Sequence, residues 1–178
     1  MSAGAHRSTT PAAGRRFAST PSSCDLSPMA ATLPVVLGAG AGFLLAVLWF
    51  DLMFDVQART LDGPDCDARL ASIAGYYRRV TTEAFPMNRL VAVVMLVVIA
   101  GSVAQIFAGS LTPGRAGLAL ALIAAPVGLA GLRVVPNAVR LGARRDSLET
   151  QRALARGILR DHVLCFIAVA GFLALQVA

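Results

Sequence analysis

Four long apolar stretches, separated by polar segments, dominate the chain. They lie at about residues 33–50, 90–107, 116–132 and 163–177. A helix needs roughly 20 residues to cross about 30 Å of hydrocarbon, and each stretch reaches that length once its interfacial ends are included. Ten-residue alternating strands, the mark of a membrane barrel, are missing. The pattern therefore predicts four membrane-spanning helices, at residues 33–54, 88–108, 115–135 and 159–178.

Composition agrees with this interpretation. Hydrophobic residues make up 56% of the 178-residue chain, charged residues 15%, and the mean hydropathy is +0.67, outside the usual range of soluble domains. Small residues, which allow helices to approach closely, interrupt the predicted spans. The predicted fold class is therefore all-α, an integral membrane four-helix bundle. These small residues are Gly38, Gly40, Gly42, Gly101, Ser102, Gly128, Gly131 and Gly171.

The first 32 residues differ from the rest of the chain. Residues 1–28 are rich in Ser, Thr, Ala, Gly and Pro and show no apolar period, so they cannot bury enough surface to fold. We expect residues 1–32 to be a disordered tail. A targeting segment, or a gene start placed upstream of the true start at Met29, explains the composition equally well.

Two polar loops between the spans are predicted to contain amphipathic helices. In the first, Leu70, Ile73 and Tyr77 recur at three- and four-residue steps after a possible Asp65 or Asp67 cap, which predicts a helix lying along the membrane surface. In the second, residues 146–149 read DSLE, the form of a capping box. That helix is expected to continue unbroken into the fourth span.

Arginine placement predicts the orientation of the bundle. All 16 basic residues are Arg, and cytoplasmic loops retain positive charge. Both long loops should therefore face the cytoplasm, with both termini outside, in a bacterial inner or plasma membrane. The two loops contain Arg59, Arg69, Arg78, Arg79, Arg89, Arg133, Arg140, Arg144, Arg145, Arg152, Arg156 and Arg160, and the other side contains Arg7, Arg15, Arg16 and Arg115.

The arginines also bear on partners. Arg152, Arg156 and Arg160 form one stripe at four-residue spacing, which predicts contact with anionic lipid headgroups. No polar domain combines clustered basic residues with stacking aromatics, so nucleic-acid binding is not expected. A homo-oligomer or a membrane protein partner remains open.

No metal or cofactor is predicted. Cys24, Cys66 and Cys165 share no CxxC spacing, so neither a zinc site nor a disulfide framework follows. Imidazole comes only from His6 in the tail and His162, which does not suit a haem held by two histidines of one chain.

Polar residues gather at one boundary of the predicted bundle. Asp51 and Asp55 lie four residues apart and share a helix face, and the same boundary is reached by Asn88, Arg89, Arg133, Asn137, Asp161 and His162. One interpretation is a set of interfacial helix ends, where the aspartates pair with Arg89 or Arg133. The other is a pocket in which Asp51 or Asp161 sets the charge state of His162.

Three motifs resemble one known family. The segments YYRRVTTEAFPMNRLVAVVM (76–95), RVVPNAVRL (133–141) and RDHVLCFIAVAGFLAL (160–175) resemble the anthrone-oxygenase-like family of small four-helix membrane proteins. The likeness covers most of residues 33–178, and the family's Pro-and-Asn and Asn-His-Val motifs map onto 136–137 and 161–163. Here Asp161 replaces the Asn, and the Trp residues that often precede the His are missing.

The resemblance implies a cofactor-independent oxidation. Some relatives oxidise a polyketide anthrone to an anthraquinone. By analogy, His162 is the base that removes an acidic C–H or phenolic proton, and Asn137, Arg133 or Arg89 would hold the oxyanion. The polar boundary itself predicts Asp161 and Asp51 as catalytic neighbours of His162. It also predicts substrate contacts from Asp55, Arg89, Arg133 and Asn137.

Three functions stay open on the sequence alone. A non-catalytic accessory or structural subunit explains the glycine-containing helices without any chemistry. An oxygenase-like enzyme acting on an apolar aromatic substrate explains the polar boundary around His162. A small transporter is disfavoured because the span centres contain only Ser102 and Gln105 as polar residues.

Overall fold

The computed structural model describes residues 27–177, with side chains described from Thr32 onwards. The predicted tail lies outside this range apart from residues 27–32, and His6 and Cys24 lie outside it too. Residues 27–32 form the first residues of α1 and are not part of a disordered tail, so the helix begins six residues earlier than predicted. Within the described range the chain is helical and contains no strand, which confirms the all-α bundle. The elements are α1 (Ser27–Asp55), a 3₁₀ helix (Val56–Thr60), α2 (Cys66–Arg78), a π-helical turn (Arg79–Glu83), α3 (Met87–Phe107), α4 (Pro113–Leu129), a second π-helical turn (Ala130–Val134), α5 (Val135–Ala143) and α6 (Leu148–Val177).

Four continuous helical segments of the described chain are long and apolar enough to cross a membrane, as expected of a multi-pass membrane protein. The second segment differs from the predicted span by one residue at each end. The third and fourth are longer than predicted, since α4 continues through the π-helical turn into α5, and α6 begins well before the apolar run. The segments are Thr32–Thr60, Met87–Phe107, Pro113–Ala143 and Leu148–Val177.

The apolar parts of these segments form one layer of the molecule, which we call the bundle layer. In it, α1 packs against α3 and α6, and α4 packs against the same two helices. The buried core includes Leu37, Leu44, Val98, Ile123 and Phe172. Large apolar side chains cover the outer faces of the helices, as a lipid-facing surface requires.

The more polar segments between the spans, together with the first half of α6, form a second layer, which we call the loop layer. It contains the 3₁₀ helix, α2, α5 and the first half of α6, around a core that includes Leu61, Leu70, Ile73, Leu141 and Ile158. The apolar face of α2 is therefore buried against protein, chiefly α5. The prediction of an amphipathic helix here is correct. Its apolar face packs on protein, and its position along the membrane surface stays a prediction.

One helix connects the two layers. α6 runs without a break from Leu148 to Val177, as predicted. Its first turn is capped by Ser147, whose Oγ accepts a hydrogen bond from the backbone N–H of Thr150 at 3.3 Å. Asp146, the predicted first residue of the capping box, instead forms an ion pair with Arg140 at 3.0 Å. The capping residue therefore lies one position later than the sequence pattern suggested.

Glycine packing is confined to a few of the predicted positions. A Cβ on Gly40 would lie 2.5 Å from Val98 Cγ2, and one on Gly101 would lie 2.7 Å from Leu37 Cδ2, so both residues let α1 and α3 approach closely. A Cβ on Gly128 or Gly131 would meet nothing within 4 Å. The close contacts predicted for that pair are wrong.

Candidate functional site

An apolar cavity of about 470 Å³ lies inside the bundle, next to the boundary with the loop layer. All six α-helices and both π-helical turns contribute side chains to its lining, and most of these side chains are apolar. The polar side chains among them lie at the end nearest the loop layer. The lining residues used below are Asp51, Tyr76, Tyr77, Asn88, Ala130 and His162.

Asp55 is the centre of the polar network at this end of the cavity. Tyr77 Oη donates a hydrogen bond to Asp55 Oδ1 at 2.5 Å, and His162 Nδ1 lies 2.6 Å from Asp55 Oδ2. An ionised carboxylate can only accept hydrogen bonds, so the proton of this second bond belongs to Nδ1. Asp55 thereby fixes the orientation and the tautomer of the imidazole.

Asp51 lies one helical turn earlier on α1 and approaches the other side of His162. Tyr76 Oη donates to Asp51 Oδ1 at 2.6 Å, and the Tyr76 ring stacks on Phe54 with centroids 4.1 Å apart. Asp51 Oδ2 is 3.9 Å from His162 Nε2, beyond hydrogen-bonding distance. Nε2 therefore faces a negative charge without being bonded to it.

The centre of this network is almost completely removed from solvent, while Asp51 and Tyr76 are partly buried. Asp55 is 1% exposed and His162 is 5% exposed, and groups buried this deeply must be paired. Burial raises the pKa of Tyr76 and Tyr77 well above the usual range for a phenol, and the charges of Asp51 and Asp55 raise it further. Both tyrosines therefore remain protonated and act as hydrogen-bond donors.

The path of the chain explains why these residues meet. α1 ends at Asp55, and the 3₁₀ helix and the turn after it reverse the chain. The last residues of α2 therefore return to the end of α1, while α6 passes both at His162. Tyr76 and Tyr77 are adjacent at the end of α2, so each can reach a different carboxylate of α1.

Asp161 precedes His162 but belongs to a different cluster. Successive residues on an α-helix point about 100° apart, and Asp161 faces away from the cavity. Its Oδ2 lies 3.3 Å from Arg133 Nε, and its Oδ1 lies 3.4 Å from a terminal nitrogen of Arg160. Asp161 is 1% exposed, so it is a buried anchor for two guanidinium groups.

The structure thus divides the predicted site residues among three places. Asp51, Asp55 and His162 meet at the cavity, whereas Arg133 and Asn137 line a separate groove between α5 and α6. Asp161 lies outside the lining of that groove and pairs with Arg133. Arg89 lies at neither place: it is exposed, and its guanidinium carbon is 4.9 Å from the centroid of the Phe85 ring. The predicted pairing of the aspartates with Arg89 or Arg133 is wrong, because tyrosines and the histidine occupy their oxygens.

The arginine stripe of α6 makes contacts within the protein. Arg156 donates to Asp62 at 2.7 Å, and this contact lowers the pKa of the Asp62 carboxyl below its usual value. Arg152 Nε lies 3.0 Å from Cys66 Sγ. Arg160 contacts Asp161. Each arginine of the predicted headgroup-binding stripe therefore has a partner within the protein.

Tyr76 and Tyr77 are the functional residues that the sequence pattern did not identify. The signal for Tyr77 was present, because it lies on the apolar stripe predicted for the first loop helix. A buried tyrosine needs a partner for its hydroxyl, and two carboxylates end the preceding span. These two observations together indicate a contact between a tyrosine and a carboxylate, but they do not specify which carboxylate Tyr77 meets.

Metal binding finds no support in this geometry. Asp55 and Asp51 approach opposite ring nitrogens of His162, so these three side chains share no common ligation point. Among the residues that the structure describes, no group of three or more His, Cys, Asp or Glu side chains is arranged to hold a metal ion.

Comparison with known proteins identifies no relative. No family model, curated protein or solved structure matches this chain.

Proposed function

We propose that this protein is a multi-pass membrane enzyme that binds an apolar aromatic molecule in the cavity and uses His162 to remove an acidic proton from it. One observation carries the proposal. A buried imidazole, oriented by a buried carboxylate, lies at the polar end of an otherwise apolar cavity. A purely structural role does not explain why these two features coincide.

The cavity has the properties of a small-molecule site. Its volume of about 470 Å³ lies within the range of roughly 300–1,000 Å³ typical of ligand pockets. Such sites combine apolar walls with a few polar groups that fix the ligand's orientation. Here the walls suit an aromatic molecule that partitions into the bilayer, and the polar groups lie together at one end.

His162 has the arrangement of a general base. Because Nδ1–H donates to Asp55, the lone pair of Nε2 is available to accept a proton. Proton transfer converts the ring to an imidazolium, and Asp51 lies 3.9 Å from Nε2, close enough to stabilise that charge. Asp55 then acts as the positioning residue and Asp51 as the electrostatic partner.

The oxyanion left on the substrate requires a hydrogen-bond donor at the cavity. The residues that the family resemblance implies for this role, Asn137, Arg133 and Arg89, lie outside the cavity lining. Asn88 lines it. Its Oδ1 accepts a hydrogen bond from the backbone N–H of Arg89 at 2.7 Å, which leaves the amide NH₂ to donate to the substrate, so Asn88 takes this role.

An oxidation consistent with the resemblance needs only dioxygen as the second substrate. His162 removes one proton of an activated CH₂ group, and the carbanion transfers two electrons to O₂ as a new C–O bond forms. The resulting peroxide anion takes up a proton and becomes a hydroperoxide. The carbon then loses its second hydrogen, and the O–O bond breaks as this hydrogen and the outer OH group leave as water. A ketone remains, so one oxygen atom enters the product and the other leaves as water.

The orientation in the membrane follows from the arginines. Most of them lie in the loop layer or at its boundary, which favours the cytoplasm for that side and the opposite side for both termini. The polar end of the cavity then lies at the cytoplasmic boundary of the bilayer. The substrate reaches the cavity from the hydrocarbon, and proton exchange occurs on the cytoplasmic side.

A glutamine substitution tests the proposed base. We expect purified full-length protein to accelerate oxygen uptake with anthrone, and His162→Gln to reduce that rate by about 10²- to 10⁴-fold. The glutamine amide can still donate to Asp55, so the fold should be retained. Oxygen consumption and thermal unfolding are measured on the same samples.

Arg140→Gln is the matched control, because Arg140 pairs with Asp146 on the surface, away from the cavity. It should leave the rate unchanged. Full activity in His162→Gln, or a wild-type protein that does not accelerate the reaction, would contradict the enzyme proposal and favour an accessory subunit.

A further inference from the structure

A second concave surface lies between the second π-helical turn and α5 on one side and the first half of α6 on the other. We call it the arginine groove. Three arginines from the two sides reach it, together with an amide and a hydroxyl group, and small residues of α6 form its floor. The residues used below are Arg133, Asn137, Thr150, Arg156, Gly157 and Arg160.

Carboxylates outside the groove lining fix the positions of the guanidinium groups. Arg133 and Arg160 share the buried carboxylate of Asp161, at 3.3 and 3.4 Å. Arg156 is bound by Asp62 at 2.7 Å. A guanidinium group has five N–H donors, so these contacts leave most of the donors of each arginine unused.

The three side chains remain accessible despite these contacts. Arg133, Arg156 and Arg160 are 49%, 46% and 64% exposed. Their three positive charges exceed the two negative charges of Asp161 and Asp62. Neither carboxylate lines the groove, so a ligand there meets mainly cationic donors. This arrangement suits an anion with several acceptor oxygens.

We propose that the arginine groove binds a phosphate group. Asn137 and Thr150 add neutral hydrogen-bonding groups to the three arginines, and together they offer enough donors for the several oxygens of a phosphate. The groove lies beside exposed apolar residues at the boundary between the layers, including Leu132 and Leu164. A phospholipid headgroup and a soluble phosphate-bearing molecule offer the same chemistry, and the experiment distinguishes these two sources.

Gly157 provides a way to block the groove without removing any charge. A Cβ added to Gly157 would meet no atom within 4 Å, so Gly157→Leu fills open space in the groove. Leucine also favours the helix more than glycine does. Gly117→Leu is the matched control, since Gly117 also has open space around it but lies on α4, outside the groove lining.

Charge removal provides an independent variant. Arg156→Gln removes one guanidinium group that is held only by an exposed pair with Asp62, so the fold should be preserved. We expect this change to weaken binding by about fivefold, the effect of one arginine near a phosphate surface. Arg140→Gln is its control, because the Arg140–Asp146 pair is also a surface ion pair and lies outside the groove lining.

The experiment is native mass spectrometry of the full-length protein in neutral detergent, titrated with phosphatidylglycerol and separately with inorganic phosphate. We expect one tightly bound phosphate-bearing species, at least tenfold weaker in Gly157→Leu and unchanged in Gly117→Leu. If phosphatidylglycerol stays bound when inorganic phosphate is added, the result supports a lipid headgroup as the ligand. Binding of inorganic phosphate itself supports a soluble ligand.

Either result supports the phosphate site, provided that the groove variants weaken binding and their controls do not. The proposal is overturned if neither probe binds, or if Gly157→Leu and Arg156→Gln bind as tightly as the wild type. Thermal unfolding of each variant shows that any loss of binding is not a loss of fold. The outcome is independent of the activity of His162.

Discussion

Tyr76 and Tyr77 lie on a loop helix, but their hydroxyl groups bind the carboxylates at the end of the first span. Each donates its phenol to a carboxylate of α1, and together they satisfy one oxygen of Asp51 and one of Asp55. These bonds keep two buried charges compatible with the fold. They also leave Nε2 of His162 without a hydrogen bond to either carboxylate, since Asp51 lies 3.9 Å away.

The two tyrosines are expected to resist ionisation until the protein unfolds. Burial and the nearby carboxylates raise their pKa above the usual value of about 10. The folded state therefore holds these protons more tightly, so their contribution to stability is complete below pH 10 and is lost as pH rises above it. The chain has only 2 Tyr, so the ultraviolet tyrosinate band reports both.

An absorbance titration of the full-length protein provides the measurement. We expect the tyrosinate band to appear together with loss of helical circular dichroism, well above pH 10. A double variant, Tyr76→Phe with Tyr77→Phe, should show less loss of stability per pH unit in the same range. A reversible phenol titration near pH 10 in the folded protein would contradict the buried network.

At the residue scale, the sequence predicted the acids and the imidazole but not their partners. Asp51 and Asp55 were expected on one face because four-residue spacing determines that directly. Their partners depend on how far the chain turns back between α1 and α2, which no local pattern specifies. The contact between Asp55 and His162 joins residues 107 positions apart.

At the scale of elements, the contact between α1 and α3 depends on two glycines. Gly40 faces Val98, and Gly101 faces Leu37, so each small residue accommodates a branched side chain of the other helix. In a bilayer, helices associate through close packing rather than through a hydrophobic driving force. Larger residues at these two positions would therefore push α1 and α3 apart and destabilise the bundle.

Gly101→Leu is expected to destabilise the protein by about 1–3 kcal/mol, because its Cβ alone would lie 2.7 Å from Leu37 Cδ2. Gly117→Leu should change stability little, since its Cβ meets nothing within 4 Å. The measurement is thermal or denaturant unfolding in the same detergent. Equal stability of the two variants would contradict the packing of α1 against α3.

The elements themselves were largely predictable, and their partners were not. Long apolar runs predicted the four spans because a bilayer leaves few alternatives for a backbone that must satisfy its own hydrogen bonds. The three- and four-residue spacing predicted α2. That spacing cannot distinguish an apolar face on lipid from one on protein, and here Leu70 and Ile73 pack within the loop layer.

At the scale of the whole molecule, the bundle layer and the loop layer meet at a polar boundary. α6 crosses this boundary and contributes to both sites, with His162 at the cavity and Asp161 below the arginine groove. The two residues are adjacent in sequence but serve different clusters. The apolar cavity and the arginine groove therefore lie on different faces of one helix.

The central claim is that the cavity binds an aromatic molecule beside His162, and native mass spectrometry with anthrone tests it most directly. We expect one anthrone per chain for the wild type and for His162→Gln, which changes the base but leaves the cavity open. Ala130→Trp, which places a large ring in the cavity lining, should bind none while keeping its thermal unfolding transition. Equal binding by Ala130→Trp, or no binding by the wild type, would contradict the account.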